Sequence, residues 1–258
     1  MDLALAIELE GSRIALGVVN RAGKVLETEF AEPDDSSARG FDLLAPAVQR
    51  LRERATRHAG EIVVAGVSVG GGDDLESDGG DDASAARVRE RLADVVGVAV
   101  HADSAGRAFA LSEGWVGAAK GVDYFAALKL DDAVSGGIVL DGRMLDGGLG
   151  RAGRLGHVIV VPDGRRCGCG ARGCLQAEVS IAAIESSTGR PLTEPSYDVM
   201  RHVGRLVGRA AASVANLLDL RLIVCGGRVA REYSSTMYLA AQEELDASCR
   251  LSFSQGAR

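Results

Sequence analysis

The chain has 258 residues, of which 47% are hydrophobic and 25% are charged, and its formal net charge is −7. That length can bury one or two hydrophobic cores, so a globular protein of two domains is predicted. The acidic balance opposes electrostatic capture of DNA or RNA, and the 4% of aromatic residues supplies too few rings for a base-stacking surface. Nucleic acid is therefore not expected as a partner.

Membrane and secretory signals are not found in the sequence. No apolar run reaches the roughly 18 residues of a membrane span, and residues 1–10 lack the basic region and cleavage site of a signal peptide. The five cysteines are an odd number, and three of them lie together beside a histidine. This pattern predicts a cytoplasmic protein with a metal site and no disulfide framework.

The first part of the chain has the pattern of a three-stranded β-meander followed by alternating helices and strands. The predicted strands are 3–9, 14–19, 25–30, 61–70 and 98–103, and the predicted helices are 40–58, 85–97 and 104–117. Pro46 is expected in the first turn of its helix. Segment 70–82 is rich in glycine and aspartate, which predicts a solvated acidic loop.

The second part repeats this pattern. It predicts a strand, a turn and a strand over 123–148, helices over 177–188, 196–218 and 232–249, and a buried strand over 220–227. Two such halves predict a duplicated α/β fold with an N-terminal domain, 1–102, and a C-terminal domain, 103–258. The cleft between them is the expected ligand site.

A glycine-rich stretch concentrates potential metal ligands. His157, Cys167, Cys169 and Cys174 supply four borderline or soft ligands, the number that fills a tetrahedral zinc site and leaves no position for water. A structural Zn²⁺ site in the C-terminal domain is therefore predicted. Three unrelated buried cysteines in a turn, or a redox pair, are the alternatives, although no C-x-x-C motif is present.

The segment "AGRLGHVIVVPDGRRCGCGARGCLQAEVS" resembles the signature of the ROK family (repressors, open reading frames and kinases). That signature reads A-G-E-x-G-H, a spacer, then C-x-C-G-x-x-G-C-L-E. The segments "AIELEGSRIALGVV", "VHADSAGRAFALSEGWVGAAKG", "LKLDDAVSGGIVLDGRML" and "LLDLRLIVCGGRVA" follow in the family's order. The resemblance covers nearly the whole chain. It implies an actin-like ATPase (ribonuclease H-like) fold with a central cleft, and a homodimer or homotetramer.

The resemblance also implies an activity, the transfer of the γ-phosphate of Mg-ATP to a sugar hydroxyl with one aspartate as base. Asp103 matches that base, although a role as helix N-cap ahead of "SAGRAFAL" is equally open. The implied nucleotide-binding positions are Glu8, Gly11, Ser12, Gly136, Gly137, Gly226 and Gly227. The implied sugar-binding positions are Asp103, Arg154, His157 and Gln176.

Both phosphate-binding hairpins depart from the family pattern. Glu10 stands where a glycine lets phosphate approach the backbone. Asp131 and Asp132 replace residues expected to cradle phosphate oxygens, and like charges about 4 Å apart repel by about 1 kcal/mol even in water. These substitutions predict weakened binding of Mg-ATP.

The sugar-binding positions depart as well. Ala102 replaces the asparagine before the catalytic aspartate, and Arg154 and Gln176 replace glutamates. Each lost hydrogen bond to a hydroxyl costs about 1 kcal/mol, and more when the bond is charged. The site is therefore expected to lose most of the sugar affinity that the family pattern implies.

Three functions follow from these observations. The favoured one is a non-catalytic or weakly active homologue of ROK sugar kinases and transcriptional regulators that binds a sugar or effector and contains structural zinc. The alternative is an active ATP-dependent hexose or N-acetylhexosamine kinase, similar to glucokinase, with Asp103 as base. A zinc hydrolase is opposed by four ligands that leave no open position. Because the chain starts with a strand of the α/β domain and not with a winged helix, DNA binding is not expected.

Overall fold

A computed structural model describes residues 1–10, 13–31, 40–58, 60–70, 89–90 and 92–258. These residues form two compact units, the N-terminal unit Met1–Ala108 and the C-terminal unit Phe109–Arg258. The domain boundary predicted from the sequence, after residue 102, lies slightly earlier than this division. Across the described ranges, no helix combines the length and the apolar character needed to cross a lipid bilayer.

The N-terminal unit is built on a five-stranded mixed sheet of order β3-β2-β1-β4-β5. Its strands are β1 (Asp2–Glu10), β2 (Arg13–Asn20), β3 (Val25–Ala31), β4 (Glu61–Gly70) and β5 (Ala99–Ser104). The predicted meander is confirmed, since β1, β2 and β3 pair antiparallel. The Asn20 side chain closes the β2–β3 turn by accepting hydrogen bonds from the N–H groups of Ala22 and Lys24, both at 3.0 Å.

Among the described residues, α1 (Gly40–Ala55) packs on this sheet. The helix α2 (Ala105–Trp115) follows β5, and its residues from Phe109 on belong to the C-terminal unit. The apolar face of α1 buries Leu44, Val48 and Leu51 in the sheet's core, each contributing about 1.5–3 kcal/mol. Pro46 lies inside α1 and not in its first turn as predicted, because the helix already begins at residue 40. Residues 92–96 of the predicted helix 85–97 are helical. The predicted acidic loop lies, from residue 71 on, outside the described residues.

The C-terminal unit has a four-stranded sheet of order β8-β7-β6-β9. Its strands are β6 (Phe125–Leu130), β7 (Val134–Leu140), β8 (Arg143–Met144) and β9 (Ile223–Gly226). Three consecutive antiparallel strands and one strand parallel to the first repeat the arrangement of β1 to β4. The two units therefore share a topology, as an internal duplication requires.

Four helices complete the C-terminal unit. They are α3 (Leu175–Val179), α4 (Ile181–Thr188), α5 (Tyr197–Leu218) and α6 (Arg228–Ser248). The helix predicted over 177–188 is two helices, because Ser180 is extended and caps α4 by accepting a hydrogen bond from the Ala183 N–H. α6 begins at residue 228 and not at 232, because Gly227 adopts φ +98° and the chain turns there from β9 into the helix.

The long helices α5 and α6 pack at very short range. A Cβ atom on Gly204 would lie 2.4 Å from the Met237 carbonyl oxygen, and one on Gly208 would lie 2.4 Å from that of Ala241. The two glycines are four residues apart, so they lie on one face of α5. This contact requires glycine at both positions.

Candidate functional site

The predicted metal ligands converge in the C-terminal unit. One ligand atom each from His157, Cys167, Cys169 and Cys174 lies within 4.8 Å of the others. Sγ of Cys167 is 3.7 Å from Nδ1 of His157, and Sγ of Cys169 is 3.7 Å from Sγ of Cys174. With sulfur at about 2.3 Å from a tetrahedral zinc ion, two sulfurs stand about 3.8 Å apart. The four side chains therefore fit a tetrahedral metal ion.

A short irregular hairpin arranges these ligands. The bridge between Arg166 and Arg172 forms its stem, and the Cys167 N–H donates to the Ala171 carbonyl at 2.9 Å. The Gly170 N–H donates to the Cys167 carbonyl at 3.0 Å, which turns the chain around Cys169. The spacing C-x-C thus places two sulfurs on one side of a single tight turn.

The electrostatics of the cluster favour a bound cation. Cys167 and Cys174 are buried. Burial, followed by the neighbouring thiols, raises the pKa of Cys174 to about 12, and burial also raises the pKa of Cys167. Without a cation these thiols stay protonated at neutral pH, so they are poor nucleophiles and poor redox groups. A divalent metal supplies the charge that stabilises their thiolates.

The glycines of the hairpin offer a matched test of its rigidity. Gly173 has φ +71°, and a Cβ there would lie 1.6 Å from the Val161 carbonyl oxygen, whereas Gly170 has φ +90° and open space around it. We expect Gly173→Ala to destabilise the protein by more than about 2 kcal/mol and Gly170→Ala by only about 1 kcal/mol. Urea unfolding and metal content per chain measure both. Equal losses for the two variants would contradict the steric explanation.

The proposed catalytic aspartate lies at the carboxyl edge of the N-terminal sheet. Glu8, Ser68 and Asp103 pair in register across β1, β4 and β5, which run parallel. Side chains in register share a face, and two strand spacings put Glu8 and Asp103 about 10 Å apart at Cα. Ser68 was not singled out in the sequence, although it is the only hydroxyl residue of the strand "EIVVAGVSVG" and lies near its carboxyl end.

Asp103 is held by a neighbouring arginine. Its carboxylate accepts hydrogen bonds from Arg107 Nε at 2.8 and 3.1 Å and from the Ser104 N–H at 2.8 Å. The predicted N-cap role is not what the geometry shows. The helix α2 begins at Ala105, so Ser104 holds the N-cap position and Asp103 lies one residue before it. Arg107 was missed, although a spacing of four residues at a helix start is a signal for such a pair. A substrate hydroxyl would compete with a guanidinium for this carboxylate.

The two aspartates of the second hairpin have positive partners. Asp131 is buried, and its Oδ1 accepts a hydrogen bond of 2.7 Å from the Arg228 N–H while its Oδ2 lies 3.5 Å from Lys129 Nζ. Asp132 is exposed and pairs with Nη1 of Arg228 at 3.0 Å. The two like charges that the sequence places side by side are therefore each matched by a cation.

Three of the glycines assigned to nucleotide binding lie in close contact with other parts of the protein. A Cβ on Gly136 would lie 2.7 Å from the Ala127 carbonyl oxygen, and one on Gly226 would lie 2.5 Å from Cζ of Phe109. A Cβ on Gly227 would lie 2.4 Å from the Leu130 carbonyl oxygen. Gly137 is buried in β7 beside Gly136. Gly11 and Ser12 lie outside the described residues, and the half-buried Glu8 lies in β1.

The residues of the C-terminal unit that are predicted to bind sugar lie near the start of β7. Gln176 Oε1 accepts a hydrogen bond from the Val134 N–H, which ties α3 to the β6–β7 hairpin. A Cβ on Gly156 would lie 2.1 Å from the Val134 carbonyl oxygen, so the turn of Arg154 and His157 packs on the same residue. Gln176 is thus engaged with the backbone of the protein itself.

Comparison with known proteins identifies the family. The model of the ROK family matches residues 4–245, and the chain belongs to the ROK family. It is 30% identical over 188 residues to a glucokinase of Thermotoga maritima, an alignment that covers 70% of this chain and 58% of that protein. The chain therefore spans less than two thirds of that relative.

Solved structures agree with this assignment. A ROK hexokinase from Thermus thermophilus is 26% identical, with a TM-score of 0.76 over 96% of this chain and 89% of its own. A ROK family transcriptional regulator homologous to the Escherichia coli MLC protein is 23% identical, with a TM-score of 0.77 over 100% of this chain and 73% of its own. The predicted family and actin-like ATPase fold are confirmed; the second likeness concerns the fold alone.

Proposed function

We propose that this protein is a ROK-family sugar-binding or effector-binding protein with a structural zinc ion and little or no phosphotransfer activity. The observation that carries the proposal is the contact between Asp103 and Arg107, at 2.8 and 3.1 Å. A general base must reach the proton that it removes within hydrogen-bond distance. Here the carboxylate at the position of the base is already occupied by a guanidinium.

The residues that match the second phosphate-binding hairpin of the family, Asp131 and Asp132, support the same proposal. A triphosphate needs backbone N–H groups and cations that are open to it. In this protein the Arg228 N–H bonds Asp131, and the Arg228 guanidinium bonds Asp132. The residues at this position do not fit a bound triphosphate, and we derive no step through Mg-ATP.

The donor set supports zinc as the metal. Three sulfurs and one imidazole nitrogen are a common ligand set of structural zinc sites. The ion would hold residues 157–174 together and supply no reacting water, because all four positions are filled by protein.

We place the protein in the cytoplasm, where reducing conditions keep the five cysteines free of disulfides. The family resemblance predicts a homodimer or homotetramer. It also predicts a sugar or sugar derivative as the ligand.

A second function, ATP-dependent phosphorylation of a hexose or N-acetylhexosamine, is supported by one arrangement. Glu8 and Asp103 are both retained, and they lie in register at the carboxyl edge of one sheet. Relatives named glucokinase and N-acetylmannosamine kinase make sugars of this class the first to test. For this function, the Asp103 carboxylate would have to release Arg107 and accept a hydrogen bond from the sugar hydroxyl instead.

A turnover assay separates the two functions. We expect the purified protein with Mg-ATP and a panel of hexoses and N-acetylhexosamines to form no more ADP than the Asp103→Asn variant. Thermal unfolding with the same sugars, with and without ATP, should show stabilisation by at least one sugar or derivative. ADP formation above that of the variant would establish the kinase and overturn the favoured function.

A further inference from the structure

Cys169 differs from the other cysteines in its exposure. All five cysteines lie in described parts of the chain, and among them Cys169 alone is exposed. Residues 168–172 are exposed without exception, so the tip of the hairpin presents this side chain to solvent. A Cβ atom on Gly170 would meet no atom within 4 Å apart from its chain neighbours. The tip beside Cys169 is therefore open to a small molecule.

The hairpin is also electropositive. Segment 164–174 contains three arginines and no acidic residue. Within the described parts of the chain Arg165 pairs with Glu178, whereas Arg166 and Arg172, which pair across the stem, have no carboxylate partner. A cysteine becomes reactive where it is accessible to solvent and lies near positive charge, since the charge stabilises the thiolate that attacks.

A second sulfur lies beside Cys169 in position to form a disulfide. Sγ of Cys174 is 3.7 Å from Sγ of Cys169, and Cys174 is buried. A disulfide requires the two sulfurs to approach to about 2 Å. Cys169 supplies this movement from an exposed turn, so no buried side chain has to be displaced. An exposed cysteine next to a second cysteine that can close a disulfide is the arrangement of redox-sensing sites.

We propose that Cys169 is a modification site for peroxides and that its oxidation to a disulfide with Cys174 releases the metal. Bound zinc would keep both sulfurs as thiolates, the form that reacts. The inference rests on the structural zinc of the proposed function and adds a redox-sensitive role to that site. The exposed sulfur meets the oxidant, and the buried sulfur completes the disulfide.

The oxidation has two steps. The Cys169 thiolate attacks one oxygen of hydrogen peroxide, the O–O bond breaks, and hydroxide leaves, so that Cys169 becomes a sulfenic acid. The Cys174 thiolate then attacks the sulfenic sulfur, the S–S bond forms, and a second hydroxide leaves. Each sulfur loses one electron, and the peroxide gains both. The two hydroxides take up two protons from solvent and become water.

The disulfide removes two of the four metal ligands. His157 and Cys167 are then the only members of the cluster left to hold the ion, half the number that a structural zinc site uses. Loss of the ion removes the link that holds residues 157–174 together. A dithiol that reduces the disulfide restores all four ligands, so the change is reversible when Zn²⁺ is present.

The experiment treats the purified, metal-containing protein with hydrogen peroxide under native conditions. A chromogenic chelator follows metal release, and peptide mapping by mass spectrometry identifies the oxidised cysteines. We expect the bound metal to be lost in step with formation of the Cys169–Cys174 disulfide, and dithiothreitol with Zn²⁺ to reverse the loss. Iodoacetamide in place of peroxide should modify Cys169 before any other cysteine.

Cys169→His removes the exposed thiol and keeps a metal ligand, because two sulfurs and two imidazole nitrogens are also a common zinc ligand set. We expect this variant to bind metal and to lose it in peroxide at least about tenfold more slowly than the wild-type protein. Cys225→Ser and Cys249→Ser are the matched controls, since neither cysteine is among the clustered ligands. Both should respond to peroxide as the wild-type protein does.

The possible failures are distinguishable. Metal that stays bound in peroxide, or oxidation that begins at Cys225 or Cys249, would overturn the inference and leave the zinc site intact. Equal rates of metal loss in the wild-type protein and Cys169→His would overturn it as well. If Cys169→His purifies without metal, the peptide map of the wild-type protein decides alone. A wild-type protein that purifies without metal would contradict the proposed zinc site, and the inference would fail with it.

Discussion

Removal of the metal is expected to lower the stability of the C-terminal unit by at least about 3 kcal/mol and to abolish its cooperative unfolding. The reason lies in the two buried thiols, Cys167 and Cys174, which pack against the other two ligands. Without the ion they become neutral thiols, and residues 157–174 lose the contacts that close their turns. Calorimetric unfolding with and without a strong zinc chelator, together with metal analysis, measures the effect.

Cysteine variants make this prediction specific. Cys174→Ser should purify without metal and unfold like the chelated protein. Cys225→Ser is the matched control, because Cys225 lies in β9 and is not among the clustered ligands. It should keep both the metal and the response to chelator. An unchanged unfolding midpoint after complete loss of metal would show that the cluster is not a structural site.

The clustering of His157 with three cysteines was predictable from the sequence because its signal is local. Four ligand types fall between residues 157 and 174, and the glycines among them indicate tight turns. The β-meanders and the long helices were predictable for a similar reason, since their apolar periodicity is repeated over many residues. Element ends were less predictable, as the start of α6 illustrates. There a single glycine with positive φ decides where the helix begins.

The partners of the acidic residues were not predictable in the same way. Asp131 and Arg228 are separated by 97 positions, and no periodic pattern connects them. From the sequence, Asp131 and Asp132 therefore carry uncompensated charge that repels phosphate. In the folded chain Asp131 is compensated by the Arg228 N–H and Lys129, and Asp132 by the Arg228 guanidinium. The repulsion between them that the sequence predicts is therefore reduced by partners that are distant in the sequence.

The same distinction applies to Asp103. Its residue type matches the base that the family resemblance implies, and the parallel strands β1, β4 and β5 place it on one face with Glu8. Its contact with Arg107 changes what the carboxylate is free to do. Retention of a residue type thus indicates the ancestry of the site, whereas its contacts indicate its present chemistry.

The second large effect is expected at the contact of α5 and α6. Gly208→Leu should destabilise the C-terminal unit by at least about 3 kcal/mol, because a side chain there meets the backbone of the other helix. The Cβ position lies 2.4 Å from the Ala241 carbonyl oxygen and 3.1 Å from its Cα, and neither atom can rotate away. Relief requires the whole helix to shift, which opens voids among the buried residues of both helices.

Ser213→Leu is the matched control, because it adds the same side chain at an exposed position of the same helix. We expect its free energy of unfolding to stay within about 0.5 kcal/mol of the wild-type value. Urea unfolding of both variants with metal bound measures the difference. Similar small losses in the two variants would mean that α5 and α6 can separate freely, and that glycine at residue 208 is not required for their packing.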